Sequence, residues 1–268
     1  MGYRVLAFAH PWNVEAALES PADGVVFELA DERLDAPAAR LWVREAAASA
    51  RVAGKLVAVR VNHPRTRLLR DDLEAIISTD LDAVLLPHTT EPQDVRDAAV
   101  LLREFEHGRA IEPGAVALFP VIDTARGLLR AAEIAAAAPR VRGLVFDGHH
   151  YALDIGARNE EWGPRLAYAR GSLVAAARAA DGLPLVLGEG TECRPLAHYG
   201  FAGIVLTSLA GAATAVAAFA PTERALERAR EEVDAYEAAR AEGAWVARLH
   251  GAVVDGHAAR KARQVVGG

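Results

Sequence analysis

VALFPVIDTARG, residues 116–127, is the stretch that decides the fold. An apolar run ends on Asp123, and Thr124-Ala125-Arg126 then opens a helix. A carboxylate closing a buried strand is costly unless it faces a solvated site. Other apolar runs stop in the same way: GVVFELA contains Glu28, KLVAVRVN ends with Arg60 and Asn62, AVLLPH ends with His88, and RGLVFDGHH ends with Asp147, His149 and His150. Polar groups gathered at strand ends are how a (β/α)8 barrel builds its active site.

Working outward, short β-branched runs alternate with longer Ala/Leu/Arg segments of helical period, the pattern of βα units and a parallel sheet. Eight such runs occur, at 3–10, 24–30, 55–62, 83–88, 116–123, 142–148, 184–190 and 202–208. Helices are expected near 13–20, 37–53, 68–78, 92–106, 125–137, 165–180 and 195–199. The fold class is therefore α/β, a closed TIM barrel over residues 1–218, with a doubly wound open sheet as the alternative. Beyond it, 219–268 reads as a helical C-terminal extension. One helix spans roughly 222–241 with Leu226, Ala229, Val233 and Tyr236 on one face, and a basic helix follows at 257–265. Those apolar stripes can cover their own barrel or a neighbouring subunit.

A length of 268 residues suits one barrel with one core plus a tail. The net charge of −6 argues against a nucleic-acid groove, which needs clustered positive charge. A single cysteine, Cys193, permits no intramolecular disulfide and no cysteine-based zinc site. The N-terminal stretch MGYRVLAFAHPWNVE lacks the apolar core of a secretory signal, and no segment reaches the ~20 apolar residues of a membrane span. The expectation is a cytoplasmic protein with neither membrane nor nucleic-acid partner.

The strand ends carry the candidate chemistry. Arg60 can hold a carboxylate or carbonyl oxygen through two parallel hydrogen bonds, or form a structural salt bridge to Glu28 or Asp31. Asp123 with Asp147, His149 and His150 supplies oxygen and imidazole donors on adjacent strands for a divalent cation. Carboxylates alone favour Mg²⁺, and imidazole shifts preference toward Mn²⁺, Fe²⁺ or Zn²⁺. A hydrogen-bonded Asp–His pair without metal is the alternative. Glu28 or Asp31 can act as a base or steady a metal-bound water, although Asp31 can equally cap the next turn. His88 is a general acid or base near pH 7, or simply a solvated rim histidine. Thr124 and the helix start behind it can receive an anionic oxygen of a substrate. Glu189, between two glycines, marks either a close approach to a ligand or an ordinary turn.

Taken in order, these residues resemble the citrate lyase β-subunit and malyl-CoA lyase-like branch of the aldolases on the phosphoenolpyruvate/pyruvate barrel. The resemblance rests on VRVN (59–62), LLP (85–87), IDTARG (122–127), RAAEIAAAAPRVRGLVF (130–146) and YARGSLVAAARAADGLP (168–184). FAPTERALERA (219–229) and GAVVDGHAARKAR (251–263) extend it into the tail. It implies a lyase that cleaves or forms a C–C bond beside a carbonyl, often in a CoA thioester, with Mg²⁺ steadying an enolate and Arg60 on the same oxygens. It also implies a homo-oligomer, a trimer or hexamer.

At the metal positions the chain departs from that pattern. The family's IET is IDT here, which puts Asp123 at the glutamate ligand, and its second ligand, an aspartate, aligns with His150 in FDGHHYALDIG. The acidic LDLED is FELAD, so Ala30 replaces a glutamate, Glu28 stands for an aspartate and Asp31 matches; the lysine of LPK is His88. The segment that carries an Ile-His-Pro motif is shortened to AGIVLTSLAG. The expected function is a divergent lyase or aldolase acting through an enolate on a carboxylated 2-oxo acid or acyl-CoA thioester. Arg60, His88 and Thr124 would bind substrate; Asp123, His150 and Asp147 would hold Mg²⁺, another ion, or none. A non-catalytic ligand-binding or partner protein on the same barrel is the alternative, and an unrelated barrel hydrolase a third.

Overall fold

The computed structural model describes residues 3–30, 35–157 and 166–266. Eight parallel strands close into a barrel in chain order: β1 (Val5–Ala9), β2 (Gly24–Glu28), β3 (Leu56–Arg60), β4 (Ala83–Leu86), β5 (Ala117–Ile122), β6 (Gly143–Asp147), β7 (Leu183–Gly188) and β8 (Gly203–Leu206). Every expected strand is present, and pairing of β1 with β8 completes the ring, so the open-sheet alternative does not apply.

The outer helices are α1 (Val14–Glu19), α2 (Ala36–Val52), α3 (Leu69–Ile76), α4 (Pro92–Gly108), α5 (Ala125–Leu129), α6 (Ala131–Ala135), α7 (Gly148–Asp154), α8 (Ala167–Ala179), α9 (Cys193–His198) and α10 (Ala212–Phe219). The single helix expected over 125–137 breaks at Arg130, whose φ of −111° and ψ of 10° leave helical geometry. Sequence reasoning missed α7 and α10. Gly148 and two histidines read as a loop, yet the Asp147 side chain accepts the His150 N–H and starts a helix directly from the strand.

Side chains alternate across each strand, so one parity faces the helices and the other the barrel interior. Val57, Val59, Val84, Leu86, Leu144 and Phe146 belong to the cluster packed against the helices. Leu6, Val26, Leu85, Phe119, Val145 and Leu185 have the opposite parity and are buried. They fill the interior. Glu28, Arg60, Asp123 and Asp147 share that inward parity, one layer nearer the C-terminal end. Register makes this concrete: Glu28 pairs with Arg60, and Ile122 with Phe146, so Asp123 and Asp147 follow side by side.

The opposite end of the barrel is held by charge. Glu106 of α4 is fully buried and accepts hydrogen bonds from Arg140 Nη1 at 3.0 Å and Nη2 at 2.7 Å, from Gly114 N–H at 2.9 Å and from Val116 N–H at 3.0 Å. Arg140 also donates to the Val116 carbonyl at 2.9 Å. Strands β5 and β6 thus enter the barrel from one clamp.

Contacts divide the chain into two compact units, one being Arg4–Phe219 and the other the chain from Ala220 onward with Tyr3. In the second, α11 (Glu223–Ala241) and α12 (Gly256–Val266) flank a hairpin of β9 (Ala247–Leu249) and β10 (Ala252–Val254) that was not anticipated. On the expected face of α11, Ala229 is buried while Leu226, Val233 and Tyr236 are half-buried. Ala259 and Ala262 of α12 are buried, and the Arg263 guanidinium lies 6.0 Å from the centre of the Tyr236 ring. Among the described residues no helix is long and apolar enough to cross a membrane.

Candidate active site

The inward strand ends converge on one mouth. Arg60, at the end of β3, places Nε 3.4 Å from Glu28 Oε2 and its guanidinium carbon 5.8 Å from the centre of the Phe8 ring. Glu28 also accepts the Ala30 N–H at 2.8 Å. The salt bridge expected as one alternative is therefore present, and it aims the guanidinium rather than removing it, since Arg60 still lines a cavity of about 430 Å³ together with Asp147, His149 and His150. That volume lies within the ~300–1,000 Å³ usual for small-molecule sites.

Asp123 is buried at 2% exposure. Its Oδ2 accepts the His88 backbone N–H at 3.2 Å and meets His88 Nδ1 at 2.6 Å. Both contacts come from one residue because His88 adopts a left-handed backbone, φ 52°, which turns it back over the end of β5. Oδ1 is buried and has no hydrogen-bond partner among the described residues. Asp147 behaves differently: Oδ1 accepts the His150 N–H at 3.1 Å and Oδ2 meets His150 Nδ1 at 2.7 Å. The His88 and His150 rings are 6.3 Å apart edge to face, and the His149 ring lies 5.4 Å from that of His150.

The hydrogen bond to Asp123 raises the His88 pKa above the ordinary histidine range; burial opposes this, the Asp123 charge adds to it, and the charges of Arg60 and Asp147 act in opposite directions. Groups from β3, β4, β5 and β6 thus feel one another at this mouth. Asp123→Asn should bring the His88 pKa down, because it takes away the main raising contact while burial and Arg60 remain. Imidazole NMR titration checks this, and an unmoved His88 would assign the shift elsewhere. His63 lies nearby with Nε2 3.5 Å from Asp94 Oδ1, and burial holds its pKa below the usual value despite Asp94.

The remaining expected residues have local duties. Thr124 caps α5, its Oγ1 accepting the Gly127 N–H at 3.1 Å, and Ala125 N–H donates to Asp154 at 2.7 Å, so the helix start is largely occupied. Asp31 lies outside the described residues. His150, expected as a metal ligand, directs Nδ1 and its N–H at Asp147. Among the described residues no three His, Cys, Asp or Glu side chains form a ready cage for an ion. Phe8 and Glu192 escaped sequence reasoning. The first could have been found from its parity, since its register partner Val26 is two residues before Glu28. The second gave no signal, because only the fold of the loop after β7 brings it to the cavity.

A sequence profile of the HpcH/HpaI aldolase/citrate lyase family matches residues 6–201. The citrate lyase subunit beta of Escherichia coli strain K12 is 31% identical over 257 residues, covering 92% of this chain and 85% of that protein. A (3S)-malyl-CoA thioesterase of Cereibacter sphaeroides strain KD131 is 31% identical over 276 residues, covering 96% and 91%. Among solved structures, protein CitE of Mycobacterium tuberculosis in complex with magnesium, acetoacetate and coenzyme A superposes with a TM-score of 0.63 at 24% identity, covering 99% of this chain and 98% of that one.

Proposed function

Because the chain belongs to the HpcH/HpaI aldolase/citrate lyase family, we propose that it is a carbon–carbon lyase or aldolase acting through an enolate on a carboxylated 2-oxo acid or acyl thioester. The observation that carries this reading is the inward convergence of Arg60, Asp123 and Asp147 beside two histidines at one barrel mouth.

The donors fit a hard divalent cation. Mg²⁺ needs only one or two carboxylates, taking its other ligands from water and substrate, and the buried, unpartnered Asp123 Oδ1 is one such oxygen. Asp123 and Asp147 would hold the ion, with His150 orienting Asp147. A bound cation would supply Lewis-acid polarisation of the oxygen on which negative charge develops. Arg60 binds the carboxylate and the same developing charge through its Nη groups, held in direction by Glu28. His88 keeps Nδ1 against Asp123 and exchanges a proton with the reacting group at Nε2. The interior layer of Phe119, Val121 and Leu85 closes the floor against water.

Metal analysis of the purified protein, with assays for release of pyruvate, glyoxylate or acetyl-CoA, tests the proposal. Turnover lost on chelation and restored by Mg²⁺ or Mn²⁺ is the expected result. No bound metal and no turnover would leave the non-catalytic alternative. The same reading includes a cytoplasmic homo-oligomer, trimer or hexamer, which the mass in solution checks.

A further inference from the structure

Glu189 lines the mouth and has no role in the proposed chemistry. It follows β7, and in a closed eight-strand ring β7 lies diametrically across from β3, which carries Arg60. Both line the same cavity. Arg60 is paired with Glu28, and Glu192 sits 3.6 Å from Arg170, but Glu189 is exposed and has neither hydrogen-bond nor ion-pair partner among the described residues.

Its position is built rather than incidental. Gly190 takes φ +89° and packs against Gly211 of the loop after β8; a Cβ at Gly211 would stand 2.2 Å from the Glu189 carbonyl oxygen. Two glycines thus bring the loops after β7 and β8 together and fix the backbone from which the Glu189 side chain leaves. An exposed carboxylate on the wall of a cavity, with no partner of its own, favours a donor or cation on the facing end of a ligand and disfavours an anion there.

We propose that Glu189 determines specificity: the substrate places its carboxylate at Arg60 and presents a cationic or donor-rich end to Glu189, while chains ending in carboxylate or phosphate are disfavoured. This rests on the 2-oxo acid reading above and narrows it to free acids over polyanionic thioesters.

The test is calorimetric binding of three probes to the full-length native protein, Glu189→Gln and Glu189→Lys, each supplied with Mg²⁺. The probes are pyruvate, a 2-oxopentanoate ending in trimethylammonium, and 2-oxoadipate, which ends in carboxylate. Pyruvate carries no charge at its far end and serves as the reference within each variant, which also reports whether the variant is folded. The native protein should favour the trimethylammonium probe over 2-oxoadipate; Glu189→Gln should shrink that ratio by about tenfold and Glu189→Lys should invert it. An unchanged ratio with normal pyruvate binding overturns the role of Glu189 and leaves the lyase reading intact. Failure of all three probes to bind the native protein overturns both. Acetyl-CoA, titrated as a fourth probe into the native protein, overturns the exclusion of polyanionic thioesters if it binds as tightly as pyruvate.

Discussion

Arg60→Ala should lower kcat/KM by about 10²–10³, the loss seen when one preorganised donor to a developing oxyanion is removed. Arg60→Lys should recover little of it. Lysine lacks the planar fork that grips two oxygens at once, and it cannot lie flat 5.8 Å from the Phe8 ring while reaching Glu28 as the guanidinium does. The loss should appear in kcat as well as KM, because the charge on the enolate oxygen peaks in the transition state. A structural explanation makes a different prediction. Removing Arg60 leaves Glu28 buried at 7% exposure without its cation, so some stability will be lost too. Glu28→Gln with Arg60 retained separates the two effects: it removes the ion pair, keeps the guanidinium, and should lower activity far less than Arg60→Ala. Steady-state kinetics with melting curves decide, and an Arg60→Lys variant within a few-fold of native activity would sink the assignment.

Arg140→Ala should destabilise the barrel by about 3–5 kcal/mol, the cost of breaking a buried pair from one side. Domain stabilities are only about 5–15 kcal/mol, so this one change removes a large share. Glu106 would keep its two backbone donors but lose both guanidinium bonds in a fully buried position. Replacing both partners, Arg140→Met with Glu106→Leu, leaves no orphan charge, so its remaining cost should be that of the Gly114 and Val116 N–H groups losing their acceptor.

The pH dependence carries the same signature. Burial pushes the Glu106 pKa up, but the bonds from Arg140, Gly114 and Val116 outweigh it and hold the pKa below the ordinary carboxylate value. A depressed folded-state pKa stabilises above the unfolded value of ~4.3 and loses that contribution as pH falls through the folded value. In Arg140→Ala only the Gly114 and Val116 N–H groups still oppose burial, so the folded pKa rises, and the loss of stability relative to the native protein should shrink as pH falls. Urea unfolding at neutral and mildly acid pH measures both slopes. Equal slopes in native protein and variant would contradict this account of Glu106.

Much of the molecule was legible before any coordinates. Runs such as KLVAVRVN and RGLVFDGHH have strand length and strand composition, and the polar residue that stops each one falls on the inward parity at Glu28, Arg60, Asp123 and Asp147. A period of two is a local property of the chain, so it can be read locally. The helix α7 was illegible because its start depends on a side-chain cap, Asp147 on the His150 N–H, in a stretch of weak helix formers. At the positions expected to hold a metal, the pairings were not legible in the sequence: His150 turns to Asp147, and His88 takes one oxygen of Asp123.

By itself, then, the amino-acid order determined eight strands, the helices between most of them, and which face of each strand would carry charge, because burial periodicity and helix propensity act over a few residues. Which charges meet was decided by strand register and by closure of the ring. The pairing of β1 with β8 sets β3 opposite β7 and so brings Arg60 and Glu189 to two walls of one cavity, though 129 positions separate them. The left-handed turn at His88 and the Gly190–Gly211 contact are likewise imposed by neighbouring loops. Contacts between segments distant in the chain arise from packing of the whole barrel, and no local rule anticipates them.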